Sequence, residues 1–426
     1  MEKRILTISI IGVGARGGEA YGRYIHKCAD KYKITNLCDV SAERLEKYGE
    51  AFAVPCENRF LSEEEFFEKK RSDVLLIGTM DRQHVAMAEK ALSLGYDILL
   101  EKPVSEDMDE LRRLVKKAKE TGNVVMVCHV LRYTVMVNKL KEILDNGGIG
   151  KLISIDQMEN VGFWHEAHSF VRGNWRNREE TSPMILQKCC HDMDLLQYFV
   201  GAKCHAVSSM GSLFYFKREN QPKDAADRCV QCKYIDSCTF SAKRIYIDMW
   251  KDRGSPCNDW PMNVITDAYP LTEDALQKAI EEGPYGRCVF ACDNDVVDNQ
   301  KVIMQFENGV TATLKMEAFT KKGGRDIRFF GTEGELVLDE EGNTITLKKY
   351  FNGDQVWKIN ELTDDLEGHG GGDHRMLDKL YEVLAEGNDA VDTSIENSVE
   401  SHYMALAAEE SRLNGGKLVL ISKYRS

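Results

Sequence analysis

The stretch "ILTISIIGVGARGGEAYGRYI", residues 5 to 25, constrains this chain more than any other. A short apolar run ends in Gly12, Gly14 and Gly17, spaced G-x-G-x-x-G, with Ala15 and Arg16 between them, and a second run follows. Strand, tight turn and helix are the expected order. The first glycine permits the turn, the second lets backbone approach a pyrophosphate, and the third lets helix and strand pack closely. The helix start offers free N–H groups and a positive dipole end to phosphates. The next run, "KITNLCDV", ends in Asp39, about 20 residues on, where a carboxylate can accept from ribose hydroxyls. The same charge repels a 2′-phosphate, so NAD is expected over NADP. The competing reading is a surface aspartate beside a structural glycine turn.

The unit then repeats. "SDVLLIGTM" reads as a strand, and "DRQHVAMAEKALSLG" as a helix with Gly95 just past its end. "YDILLEKPV" is a strand, and "SEDMDELRRLVKKAKETG" a helix started by Ser105 and stopped near Gly122. "NVVMVCHV" is a further strand. This alternation predicts a parallel, doubly wound sheet whose ligands lie at the carboxyl ends of its strands. Thr79, Met80, His84, Glu101 and Lys102 fall there and are expected around the cofactor.

Composition narrows the partners. A formal net charge of −13 argues against nucleic acid as the main partner. No run approaches the ~20 apolar residues of a membrane span. The N-terminal apolar run is short and ends in a glycine loop, unlike a secretory signal, so 13 cysteines suggest reduced thiols and a cytoplasmic protein.

The G-x-G-x-R-G loop, the "EKP" turn and a later "H-x-x-D" helix, His191 to Asp194, together resemble the Gfo/Idh/MocA family of glucose–fructose oxidoreductase and inositol dehydrogenase relatives. The resemblance spans most of the chain. It implies an α/β protein: an N-terminal Rossmann domain plus a C-terminal α+β domain with an open, mainly antiparallel sheet. It implies NAD(P)-linked hydride transfer at a sugar or polyol hydroxyl, and a homo-dimer or homo-tetramer built on the sheet. Lys102 matches the family's substrate-hydroxyl lysine and His191 its proton-accepting histidine. Where the family often carries an aspartate four residues before that histidine, this chain has Gln187. Lys188 stands next to it, but helix geometry turns it from the face shared by Gln187 and His191. The chemistry needs a base within reach of the hydroxyl proton and a cation at the developing alkoxide. The competing readings are a solvated lysine in a turn and a helix-start histidine satisfied by backbone.

The expected boundaries are 1–130 for the nucleotide domain and 131–390 for the second domain, with a cysteine-rich insertion at about 215–300. Residues 391–426 form a final helix that the resemblance places near the domain junction. "KLISIDQMENVGFW" opens the second domain as a strand, and Asn308-Gly309 marks a hairpin in a later meander, with further turns at Gly334 and Gly342. "FWHEAHSFVRGNWRNREETSPMIL" concentrates Trp164, His165, His168, Arg172, Trp175 and Arg176, which suit a sugar ring or an anionic group on it. A surface loop with buried tryptophans is the alternative. In "DRCVQCKYIDSCTFSAKRIY", Cys229, Cys232 and Cys238 have a spacing that can hold structural zinc, with a fourth ligand from Cys257, Cys288 or Cys292. Plain reduced cysteines, a disulfide and an iron–sulfur cluster are the alternatives. In "LEGHGGGDHRML", Asp373 can cap a helix, and His369 or His374 can reach the site. Thr393 and Glu396 form a capping-box pattern before a helix that Gly415 ends.

The first functional expectation is an NAD-dependent oxidoreductase of a sugar, sugar derivative or cyclitol, with Lys102 and His191 handling the proton. The second is an NAD-dependent glycoside hydrolase that oxidises C3 transiently, eliminates, adds water and reduces again. It needs a second base, for which Tyr133, His165, His168 and Lys188 are candidates. The third is a non-catalytic nucleotide or sugar sensor. The identity of the sugar does not follow from the sequence.

Overall fold

Runs such as "VLLI" and "ILL" are apolar throughout because a parallel sheet buries both faces of its strands. Six such strands pair in parallel: β1 (Leu6–Ile11), β2 (Tyr32–Cys38), β3 (Arg59–Phe60), β4 (Val74–Ile77), β5 (Asp97–Leu100) and β6 (Val125–Val127). Their order is β3-β2-β1-β4-β5-β6, a doubly wound sheet whose switch point lies between β1 and β4. The structure, a computed structural model, describes residues 4–255, 260–387 and 391–425.

Helix α1 (Met108–Thr121) shows how the sequence sets these units. Leu111, Leu114 and Ala118 recur at helical spacing and are buried, and Gly122 ends the helix at φ +71°. Its cap lies two residues later than expected, at Asp107 rather than Ser105. Asp107 caps it, accepting from Asp109 N and Glu110 N at 2.7 and 3.0 Å. Ser105 instead accepts from Asp107 N and donates to Glu110, which fixes the turn before the helix.

The second sheet has nine strands: β7 (Leu152–Asn160), β8 (Cys204–Ser212), β9 (Asn299–Phe306), β10 (Thr311–Glu317), β11 (Gly324–Gly331), β12 (Gly334–Asp339), β13 (Thr344–Lys349), β14 (Gln355–Lys358) and β15 (Val419–Leu420). It runs β14-β13-β12-β11-β7-β10-β9-β8-β15, antiparallel except for the β7–β10 pair. Asn308-Gly309 forms the β9–β10 hairpin, with Gly309 at φ +88°. Burial alternates along the central strands, so one face is core and the other is open.

The core face packs on α2 (Cys190–Val200) and on α4 (Ile395–Leu413), which follows α3 (Glu367–Glu386). Ser394, not Thr393, caps α4; the Thr393 hydroxyl is turned to Tyr133 at 3.0 Å. Asp373 does not cap α3 either, because its carboxylate is taken by Arg16. Within the range of α3, Gly368 to Gly371 run at positive φ throughout and form a loop, so the regular helix begins only after them. His402 on α4 accepts from Val104 N at 2.8 Å, stitching α4 to the nucleotide domain.

Two buried acids of α2 fix its position. Asp194 takes Arg132 in a two-pronged pair at 2.7 and 2.6 Å, reaching out to the segment after β6. Asp192 takes Arg325 of β11 at 2.9 Å and Gln157 of β7 at 2.6 Å. Removing one partner of a buried pair leaves the other charge stranded. Asp194→Ala is therefore expected to lower the unfolding free energy by about 3–5 kcal/mol, measured by urea denaturation. A loss below about 1 kcal/mol, the size of a surface pair, contradicts this anchoring role.

Candidate functional site

The glycine loop meets the tip of β4. Gly12 sits at φ +84°, and a Cβ there would lie 2.7 Å from the Gly78 backbone. A Cβ on Gly17 would lie 2.1 Å from the Gly12 carbonyl. These two glycines are required by the fold itself. Gly14 is different: a Cβ there would meet no other atom nearer than Arg44 Nη1 at 4.0 Å. Its bareness leaves room beside the loop, where a dinucleotide phosphate fits. Asp39 accepts from Val13 N and Ser41 N at 2.8 and 2.9 Å, which locks the loop to the end of β2. Arg44, not anticipated from the sequence, reaches to 3.9 Å from Asp39.

Arg16 has a role beyond the cofactor loop. Its guanidinium bonds Glu101 at 2.9 Å and Asp373 at 2.7 Å, donates to the Tyr21 hydroxyl, and reaches His369 Nδ1 at 3.4 Å. Tyr21 also donates to Glu101 at 2.6 Å. Burial works against the charge of Glu101, but Arg16 and Lys102 outweigh it and hold the carboxyl below its ordinary range. Glu101 Oε2 in turn accepts from Lys102 N at 2.9 Å. One cation thus ties the glycine loop, the Glu101–Lys102 turn and the glycine-rich loop at the start of α3.

A pocket of about 140 Å³ opens at this junction, between β-strand tips and α2. Thr79, Asp81, Lys102, Trp175, His191 and His369 are among its lining residues. Lys102 Nζ donates to the Gln187 carbonyl at 3.3 Å, which holds the amine at the pocket wall. His191 is the second residue of α2 and is buried, and its Nδ1 has no hydrogen-bond partner among the described residues. Burial first, then the positive neighbours Lys102, His129 and Arg325, hold its imidazole well below the usual range. A helix N-terminus acts in the same direction. The histidine is therefore neutral at neutral pH, the form a base needs.

Asp81 is the site residue that sequence reasoning missed. Burial raises its carboxyl above the ordinary range, against the opposing pull of His84 and Lys102. With the Gln187 amide oriented to satisfy its neighbours, its nitrogen donates to Asp81 at 3.2 Å and its oxygen accepts from the Trp175 indole. The carboxylate that position 187 lacks is thus supplied from the other domain. The available hint was an acid directly after Thr79 and Met80 at a strand's carboxyl end.

The remaining candidates separate. Thr79 and Met80 line the pocket, whereas His84 spans the Pro103 and Thr79 carbonyls at 2.8 and 3.1 Å, inside the scaffold. Tyr133 is buried against Thr393. Lys188 pairs with buried Glu159 at 3.0 Å; Gln187 ends a short helix (Met184–Gln187) and His191 belongs to α2, so the single helix face expected for the two does not form. His165 packs in an aromatic group with Trp260 at 4.7 Å and Phe170 at 5.7 Å. His168 bonds the Tyr246 hydroxyl at 2.9 Å and stacks on Tyr285. Arg172 is buried in the core of the insertion, and Arg176 pairs with Asp293 at the surface. His374 stacks on Tyr24 and bonds Asp365 rather than entering the pocket. Of the residues assigned to substrate, the structure brings Trp175, Gln187 and His369 to Lys102 and His191, and leaves the others elsewhere.

Among the described residues, no three His, Cys, Asp or Glu side chains converge as ligands of one metal ion. The single zinc ion expected at Cys229, Cys232 and Cys238 is therefore not supported. Cys257, one suggested fourth ligand, lies outside the described residues. No helix among those residues is long and apolar enough to cross a membrane.

Comparison with known proteins agrees with the two-domain fold. Residues 6–129 match an oxidoreductase family described as an NAD-binding Rossmann fold, and residues 141–420 match its C-terminal alpha/beta domain. A Bacillus subtilis protein named as an oxidoreductase, YteT, is 23% identical over 376 residues, 82% of each chain. The 2,7-anhydro-N-acetylneuraminate hydratase of Escherichia coli is 24% identical over 209 residues, 49% of this chain and 53% of the relative. A solved oxidoreductase from Agrobacterium radiobacter, in complex with NAD+, L-tartaric acid and magnesium, shares the fold at TM-score 0.71 and 16% identity over 99% of both chains.

The electrostatics of His191 predict its titration. Its imidazole proton is expected to leave well below pH 6.5 in the native protein, followed by NMR. Lys102→Met removes a positive neighbour and is expected to move the midpoint upward. A native midpoint at or above 6.5, unmoved by that substitution, contradicts the described environment.

Proposed function

Because the chain belongs to the Gfo/Idh/MocA oxidoreductase family, whose two domains it matches, we propose that it interconverts a CH–OH group and a carbonyl on a sugar, sugar derivative or cyclitol with NAD. The observation that carries this reading is the convergence of Lys102, His191 and Asp81 on one pocket beside the glycine loop. Gly12, Gly14, Ala15 and Gly17 would hold the pyrophosphate, and Asp39 the adenosine ribose. When bound, the nicotinamide supplies the hydride acceptor.

The chain's own groups handle everything else. The Lys102 ammonium holds the substrate hydroxyl oxygen and offsets the charge that develops as its proton leaves. Neutral His191 takes that proton, and Gln187 and Trp175 hold the pocket wall in place. Trp175 offers an aromatic face to the ring. Asp39 favours NAD by repelling a 2′-phosphate, although Arg44 stands close enough to soften that preference. The open face of the nine-stranded sheet, which exposes Met210 and Ile303, is where a second copy of the chain would pair.

One observation favours a second reading. Asp81 is a buried carboxyl with raised proton affinity in the same pocket, and so offers a second proton-handling group. A redox-neutral reaction needs one, because transient oxidation acidifies the neighbouring C–H and elimination or hydration follows. A relative named as a hydratase accords with such chemistry, as does NAD-dependent glycoside hydrolysis.

Lys102→Ala and His191→Ala are each expected to lower turnover at least ~100-fold while sparing NAD binding, within the range of positioned acid–base groups. The assay is a panel of free sugars and aryl glycosides with NAD, following NADH and released phenol together. Full turnover in both variants would contradict the assignment. Accumulating NADH marks the oxidoreductase, and phenol release without NADH marks the redox-neutral enzyme.

A further inference from the structure

The segment between β8 and β9 has its own hydrophobic core, built on Phe216, Phe240, Ile245 and Phe290. Beside that core lies a cavity of about 340 Å³. Four cysteines line it: Cys229, Cys232 and Cys238 from one short stretch, and Cys288 from farther along the segment. Cys292 is not part of the lining, and its thiol donates to the Cys288 carbonyl at 3.3 Å. A set of closely spaced cysteines with a remote last one is a spacing used to hold iron–sulfur clusters.

Two buried polar atoms at the cavity wall point to an occupant. Arg172 is 1% exposed, yet no carboxylate bonds it. Its Nε donates to the Arg287 carbonyl at 2.7 Å and one Nη2 hydrogen to the Phe240 carbonyl at 2.7 Å. Nη2 also lies 3.6 Å from the Cys229 sulfur, while Nη1 meets no acceptor in hydrogen-bond geometry among the described residues, with the Tyr246 hydroxyl as its polar neighbour beside the guanidinium. Ser241, also 1% exposed and on the same wall, has an unpartnered hydroxyl. A buried cation without a counter-charge and an unpaired buried hydroxyl are both costly. An anionic group carrying hydrogen-bond acceptors would relieve both.

We propose that this cavity holds an iron–sulfur cluster on the thiolates of Cys229, Cys232, Cys238 and Cys288. The cluster and its thiolates supply the negative charge that Arg172 lacks, and the inorganic sulfides accept from Arg172 Nη1 and Ser241. A single zinc ion brings no such acceptors, and no three of the ligands converge on one point. N–H groups already face two of the sulfurs: Ala242 N to Cys229 at 3.4 Å and Gln221 Nε2 to Cys288 at 3.7 Å. Loading is a ligand exchange. Each cysteine S–H gives its proton to a thiolate that leaves the incoming cluster, and one Fe–S bond forms for each one broken, with no change in oxidation state. The role is positional: Arg172 lies three residues before Trp175, which lines the catalytic pocket.

The test uses the full-length protein without oxygen and a preformed [4Fe–4S] cluster carrying simple thiolate ligands. Wild-type protein is expected to retain about four irons and four inorganic sulfides per chain after gel filtration, with broad visible absorbance. Cys232→Ser/Cys288→Ser is expected to lose both and to raise substrate KM while NAD binding persists. Folded wild-type protein that retains no iron and sulfide overturns the proposal. So does stoichiometric zinc without sulfide in the isolated protein, or retention unchanged in the double variant.

Discussion

The site depends on two acids that flank a histidine. Asp192 and Asp194 leave α2 on either side of the direction His191 takes, and each is buried against an arginine. Arg325 binds one of them to the nine-stranded sheet, and Arg132 binds the other to the nucleotide domain. The helix start is therefore held by both halves of the molecule. A base must stay within hydrogen-bond reach of its proton, and small displacements are expensive in rate. The ion pairs give His191 that rigidity without touching its ring nitrogens.

A second junction sets the opposite wall. Arg16 occupies the centre of a cluster with Glu101, Tyr21 and Asp373. Glu101 passes this order on by accepting from the Lys102 backbone. The residue that opens the cofactor helix, the turn that carries the lysine and the loop that carries His369 are thus one electrostatic unit. Burial of so many charges is tolerable because each has a partner.

The nucleotide half was legible because its signals are local. Glycine spacing, strand-end acids and capping residues act within a few positions, and the alternation of strand and helix that predicts a doubly wound sheet follows from them. Helix starts still shifted, to Asp107 and Ser394, because Ser105 and Thr393 found other partners. The candidate pocket was partly legible, since Lys102 and His191, which the resemblance singled out, both line it. Asp81 was not, because its relation to Gln187 exists only when two domains close on each other. The histidines and arginines after β7 misled for a physical reason. Polar side chains among aromatics suit a sugar site, but they equally suit an insertion's core, where Tyr246 bonds His168 and backbone carbonyls take two of the Arg172 nitrogens. Among the aromatic and basic residues expected there, Trp175 alone lines the pocket.

The central claim is that this pocket moves a hydride between a substrate carbon and the cofactor. It is tested most directly with a substrate carrying deuterium on the reacting carbon, incubated with the protein and NAD. Mass spectrometry of the recovered cofactor reads the transfer. The account predicts deuterium in the dihydronicotinamide ring, including when NADH is formed only transiently and trapped by acid quench. Conversion of the substrate with no deuterium in the cofactor at any time would contradict it.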